Sequence, residues 1–318
     1  MVLVIAITAD GRDPAESSLR QGNGLMDQGL FREAVAAYTR VLEQNPSNAK
    51  VYYYRAQANE MVDRQAAIRD WRRFAQMAAD LPLKGLAARA LERVQALEKL
   101  NELPDLLHPS KYVPKAGDYY RQVADASVGL QWTEFPVRIF ADSPPEKWRR
   151  ALQEALSDWM IVFPLQSVGE PEKAEIVVGW AKLPKPTAGT ERDWMSVSKE
   201  EDGIVSRRKK SSIILDNSRH RSEHEMLAVA LHELGHALGI GGHSDDPRDL
   251  MFPSEGEVFG ELSGKIPQGI TTGPYSGLAQ PTPPQVTSST RINTKLTPRD
   301  INTLIRLYNC PGPLVHLE

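Results

Sequence analysis

Cysteine is almost absent from the 318-residue chain, with Cys310 standing alone. A lone cysteine excludes an intramolecular disulfide and any cysteine-rich metal cluster, so metal chemistry must come from other side chains. An excess of either charge is missing too. Lys and Arg number 38 against 41 Asp and Glu, for a net charge of −3. The balance is also local, with 14 basic and 14 acidic residues in positions 1–110. A dedicated nucleic-acid binder carries a basic excess or stripe, so that class is excluded. The densest basic run, Arg207-Arg208-Lys209-Lys210, is too short to change this and reads as a solvated loop. No apolar run approaches the ~18 residues that span a bilayer. The nearest is Val2-Leu3-Val4-Ile5-Ala6-Ile7, which lacks the basic flank of an export signal. Two readings stay open for it. It is a short strand of a cytoplasmic protein, or the tail of a signal that starts upstream, which places the protein in the envelope or outside the cell.

What is present is ordinary for a soluble globular protein, 41% apolar and 25% charged. The length suggests about two domains. Residues 19–103 read as helix, with apolar and small residues at three- and four-residue spacing. Counting back from Pro46 in a 34-residue frame lands on Gly22, Gly29, Phe31, Ala34 and Tyr38. A second unit from Ala49 offers Ala56, Ala67, Ile68 and Trp71 if one residue of its turn is deleted. The segment therefore resembles two tetratricopeptide (TPR) repeats, over about residues 15–80. A further amphipathic helix over 83–102 is expected to cover the last apolar face of the stack. The resemblance implies a surface for a protein partner.

The texture changes after His108-Pro109. Alternation over 135–140, apolar runs at 174–180 and 213–215, and a helix opened by Ser143-Pro144-Pro145-Glu146 predict an α+β domain. Residues 253–286 hold 12 of the chain's 22 glycines and 23 prolines, which predicts a long irregular insertion. A last helix is expected over 298–308. The expected organisation is an apolar or flexible start (1–14), a helical repeat domain with its capping helix (15–108), a linker (109–127) and an α+β domain (128–318) with an irregular insertion (253–295).

The informative stretch runs from His232 to His243, late on a helix that Ser222 and Glu225 open with a capping box. From Met226 to Leu238 that helix is apolar nearly all round except at His232, Glu233, Gly235 and His236. A helix that is apolar all round is buried. Burying two imidazoles and a carboxylate together costs several kcal/mol unless they are paired or hold a metal. His232 and His236, at i and i+4, project from one face and can share an ion. Glu233 lies beside them, within reach of a water on that ion. A third ligand would complete a zinc site whose fourth position is open to water. Gly239 permits a left-handed helix stop, after which the chain can turn back and present His243.

With Met251 following eight residues after His243, the pattern resembles a metzincin, and within that clan a matrixin-type zinc metalloendopeptidase, over about residues 128–310. The resemblance implies Zn²⁺ on His232, His236 and His243, Glu233 as general base, Met251 as the Met-turn beneath the metal, and a protein or peptide substrate laid along an edge strand. It implies a zincin fold with a twisted mixed sheet. Three residues (Ile240, Gly241, Gly242) separate Gly239 from His243 where the family has two. Asp245 or Asp246 is the next candidate ligand if the glycines cannot absorb the extra residue. A different zincin with Glu255 as third ligand is a further alternative, as is a catalytically inactive zincin module serving a TPR scaffold. No basis for a second metal is present. Cys310 is far from the metal motif, so latency is expected to fall to the insertion, as a lid or flap, or to the repeats.

Overall fold

The computed structural model describes residues 14–79, 84–184, 187–199, 205–218, 220–253 and 293–315. The apolar start and nearly all of the insertion expected over 253–295 lie outside the described residues. Five helices come first: α1 (Pro14–Asp27), α2 (Phe31–Gln44), α3 (Ala49–Glu60), α4 (Arg64–Ala78) and α5 (Lys84–Lys99), each packed on the next. Their starts are set locally. The Asn48 and Asp63 side chains accept the amides of Val51 and Ala66, capping α3 and α4. Small residues decide how close the helices come. Ala34, Ala56 and Ala67 are fully buried, and a Cβ on Gly22 would sit 2.4 Å from the Tyr38 ring. Tyr38 thus fills the space that Gly22 leaves, as the 34-residue frame requires.

The segment after α5 is packed rather than loose. Short 3-10 turns at Asp105–Leu107 and Pro109–Lys111 lead into α6 (Tyr120–Val123). Leu107, Tyr112, Tyr119, Tyr120 and Val123 are buried, and they belong to an apolar cluster that runs from α1–α3 into the α+β region. One continuous core therefore serves both halves of the described chain.

The α+β region holds a five-stranded sheet: β1 (Val137–Ala141), β2 (Leu165–Ser167), β3 (Ile176–Ala181), β4 (Gly189–Lys199) and β5 (Val205–Asp216), ordered β2-β1-β3-β5-β4. All neighbours are parallel except β4 and β5. These run antiparallel from Gly189 opposite Leu215 to Lys199 opposite Val205, which leaves β4 at the edge. Val137, Ile139, Ile176, Val178, Ile213 and Leu215 share one buried face at period two. Helices α7 (Arg149–Val162) and α8 (Glu223–Ala237) pack on each other, and α8 packs on β4 and β5. Helix α9 (Pro298–Asn309) lies against α6 and the two 3-10 turns.

Three details differ from the sequence reading. Ser143 does not cap a helix. Its amide is taken by the Asp142 carboxylate at 2.8 Å, a 3-10 turn follows at Glu146–Trp148, and α7 starts only at Arg149. The turn serves Trp148, which is fully buried, stacks on Trp180 and donates to the Arg221 carbonyl. The basic run 207–210 is strand, not loop. Its backbone completes the β4–β5 ladder, Lys209 pairs with Asp193 at 2.8 Å, and Lys210 donates to the Ala174 carbonyl. Long lysine stems lie along apolar surface and carry the charge to a partner, so the charges do not forbid a strand. Strand β4 was not read at all, because Gly189-Thr190-Glu191-Arg192-Asp193 lacks apolar alternation.

Two glycines of α1 separate packing from propensity. Gly22→Leu forces the Tyr38 ring aside and is expected to cost about 1–3 kcal/mol. Gly24, with open space where a Cβ would sit, is expected to gain about 0.5–1 kcal/mol as Gly24→Ala. Urea denaturation midpoints of the two variants should move in opposite directions.

Candidate metal centre

Helix α8 begins at the reciprocal capping box foreseen in the sequence. Ser222 Oγ accepts the Glu225 amide and Glu225 takes the Ser222 amide at 2.7 Å. Both groups belong to the helix start, where unpaired amides favour a carboxylate. The apolar residues of its second half are buried, and so are His232 and Glu233. The other end is closed by partners from outside the helix. Trp132 Nε1 donates to the Ala237 carbonyl at 2.8 Å, and the Tyr308 hydroxyl to the Leu238 carbonyl at 2.8 Å. These satisfy carbonyls that no helical amide reaches.

Gly239 then reverses the chain, with φ of +106°. Its amide returns to the His236 carbonyl and that of Ile240 to Gly235, the two bonds of a Schellman motif. A Cβ on Gly241 would lie 2.1 Å from the Ala126 carbonyl oxygen, and the Gly241 amide donates to Ser127 Oγ at 2.9 Å. The three-residue spacer is therefore pressed flat against 126–130 and its extra residue is absorbed. His243 arrives beside the helix. Ring centroids lie 4.8 Å apart for His232 and His236, 5.2 Å for His232 and His243, and 5.1 Å for His236 and His243. One ring nitrogen from each falls within 4.8 Å of the others.

The other ring nitrogens orient the cluster. His232 Nδ1 lies 3.0 Å from the Leu250 carbonyl and His236 Nδ1 2.7 Å from the Ile240 carbonyl. A carbonyl only accepts, so each Nδ1 carries the proton and each Nε2 keeps the lone pair a metal needs. Burial pushes the His236 pKa well below its ordinary value, and the neighbouring His232 and His243 push it the same way. With the tautomers of His232 and His236 set in this way, the three imidazoles form a donor set that suits zinc. Among the described residues, these three are the group of metal-ligating side chains that converges in this way. Asp245 instead accepts from Gln122 at 2.6 Å, and Asp246 is held by Arg248. Glu255 lies outside the described residues.

Met251 is fully buried under the helix. Its Sδ would be 2.6 Å from a Cβ on Gly235, so the sulfur fills the gap in the turn between the two helical histidines. The turn that carries Met251 is tied on both sides. Ser244 donates its amide to the Met251 carbonyl at 2.9 Å, and Leu250 donates its amide to Asp300 Oδ1 at 2.9 Å. Asp300 is fully buried, also accepts from Tyr119 at 3.0 Å, and caps α9 with Thr297. Asp249 beside it is paired with Arg299 at 2.9 Å. Trp132 was not singled out from the sequence, and Asp300 and Tyr308 were read only as part of the last helix, without a role at this site.

Glu233 is 3% exposed and lies against the edge strand. A Cβ on Gly189 would come within 2.6 Å of Glu233 Oε1 and 2.7 Å of its Cγ. Gly189 thus forms a cradle for this carboxylate, a role that sequence reasoning missed. Glu191 and Asp193 follow on the same face of β4. Ser211 donates to Glu191, and Lys209 pairs with Asp193 while lying 4.5 Å from the Trp132 ring. Burial, and then the bond to Asp193, pushes Glu191 up to about 7, while burial pushes Lys209 down.

Comparison with known proteins agrees with this geometry. The matrixin (peptidase M10) family model matches residues 134–261, and a TPR repeat model matches residues 22–62. Macrophage metalloelastase of Oryctolagus cuniculus is 30% identical over 124 residues, which is 38% of this chain and 23% of that relative. The chain therefore spans less than a quarter of the length of that curated relative.

The Glu191 carboxyl has a raised folded pKa. Its contribution to stability is complete below the ordinary carboxyl value of 4.5 and is lost as pH rises through about 7. Glu191→Gln is expected to flatten that fall. The melting temperature of the metal-free variant, minus that of the parent protein, should rise from pH 4.5 to pH 7.

Proposed function

We propose that this chain is a zinc-dependent metalloendopeptidase whose metal is held by His232, His236 and His243. The observation that carries the reading is the convergence of these three imidazoles on one point with Glu233 seated beside them. Zinc in such a site supplies Lewis acidity, which draws the pKa of water towards ~7 and polarises the scissile carbonyl. Glu233 accepts the proton of the attacking water and delivers it to the leaving amine. Its burial against Gly189 fixes the carboxylate and keeps bulk water from competing for it. The same strand supports the substrate. β4 is the last strand of the sheet, and an extended peptide laid along its outer edge would pair backbone to backbone. Met251 gives the metal site an apolar floor, and the TPR region contributes a protein-binding surface.

Two variants test the roles. Glu233→Gln is expected to retain zinc and to lose peptide hydrolysis by at least about 100-fold, the scale of a general base. His243→Ala is expected to lose zinc, measured by metal analysis after gel filtration. Zinc affinity unchanged in His243→Ala removes it from the ligand set, and full activity in Glu233→Gln removes the mechanism. Gly189→Val should displace the Glu233 carboxylate. Zinc content is expected to hold while kcat falls.

A further inference from the structure

The backbone that follows α9 is gripped by the repeat helices. Arg93 of α5 donates Nη1 to the Pro313 carbonyl at 3.0 Å and to that of Gly312 at 3.4 Å, and Nη2 to that of Cys310 at 3.3 Å. Tyr53 of α3 donates its hydroxyl to the Val315 carbonyl and receives Gln57 at 2.7 Å. Asp125 takes the Leu314 amide at 2.8 Å. Val315 is 1% exposed and packs in the apolar cluster of α3–α5 with Trp71 and Phe74. Arg93 is 2% exposed and is held by Glu60, which also accepts Trp71 Nε1 at 2.7 Å. The guanidinium fork is thus fixed before it meets the segment, and most of the bonds made to residues 310–315 go to backbone atoms.

Helix α9 joins this grip to the metal centre. At one end the Cys310 carbonyl accepts from Arg93 and from the Tyr120 hydroxyl at 3.0 Å. About 15 Å back along the helix, Asp300 holds the Leu250 amide, and the Leu250 carbonyl takes His232 Nδ1. Arg306 between them is paired with Asp118 at 3.0 Å, and Asn302 holds the carbonyls of Val113 and Gly117. A rigid helix held at these points can carry coupling between the groups at its two ends.

We propose that α3 and α5 form a main-chain clasp whose ligand is the chain's own segment 310–315, and that the clasp sets the position of the Met-turn and of His232 through α9. This deepens the TPR and zinc-site readings above and rests on them for its functional meaning. Arg93 is a positioning residue, acting on the metal through α9 and Asp300. The recognised chemistry is a segment bent at a glycine that offers the carbonyls of residues 310, 312, 313 and 315, so a free peptide of that kind competes for the same helices.

The test uses the full chain with Arg93→Met, Tyr53→Phe, and Arg72→Met as a control, since the Arg72–Glu98 pair is exposed. Amide hydrogen exchange is followed without metal, and the visible spectrum and affinity are measured with Co²⁺. Arg93→Met is expected to speed exchange at Ser244 and Leu250 about 10-fold. It should also shift the Co²⁺ bands and weaken Co²⁺ binding about 10-fold, as loss of outer-sphere support does. Tyr53→Phe, which keeps the ring, should act in the same direction but less, and Arg72→Met should do nothing. Faster exchange confined to α3–α5 and 310–315, with residues 244–252 and the spectrum unchanged, overturns the proposal. If Arg93→Met does not fold, Tyr53→Phe decides alone, and parent-like exchange at Leu250 overturns it. A parent protein that binds no Co²⁺ sinks the metallopeptidase reading but leaves the exchange result to judge the clasp.

Discussion

Both polar backbone atoms of Leu250 are committed, and the site depends on this. The carbonyl takes the proton of His232 Nδ1, and the amide is given to the buried carboxylate of Asp300. A histidine without that acceptor is free to turn or to protonate the wrong nitrogen. An amide without that carboxylate is buried unpaired, at a cost of about 1–3 kcal/mol. Met251 follows directly and fills the space at Gly235, so one short turn sets a tautomer, a ring orientation and the floor beneath both helical imidazoles.

Close approach is the second constraint. Gly189 admits the Glu233 carboxylate to the inner face of β4, Gly235 admits the Met251 sulfur, and Gly241 admits the Ala126 carbonyl. In each case a single Cβ would occupy the volume of the neighbouring group. The extra residue before His243 does not lengthen the loop, because Gly241 lets it lie against the segment before β1. Burial then serves chemistry directly. It holds His236 neutral, the form in which an imidazole can bind a cation.

The repeat region and the α+β region are not beads on a string. The turns around 105–111 and helix α6 put Tyr112, Tyr119 and Tyr120 into a core shared by both, and α9 lies between them. The side chains of residues 119–132 also hold the elements that carry the three histidines. Tyr119 meets Asp300, Trp132 meets the end of α8, and Ser127 meets Gly241.

Local sequence determined what local physics controls. The i, i+4 histidines, the Ser222 capping box, the Gly239 stop, the small residues between repeat helices and the spacing to Met251 all act within a few turns of chain. Each was legible without coordinates. What only the tertiary structure decided joins residues far apart: Gly189 to Glu233, Asp300 to Leu250, Arg93 to the carbonyls of 310–315. It also turned a basic run into strand and moved the start of α7, because a cross-strand ladder and one buried tryptophan outweigh local charge and capping preference. Such pairs carry no period and no fixed spacing. A carboxylate, a glycine and an arginine look like any others until the fold removes the water around them and leaves a single partner within reach.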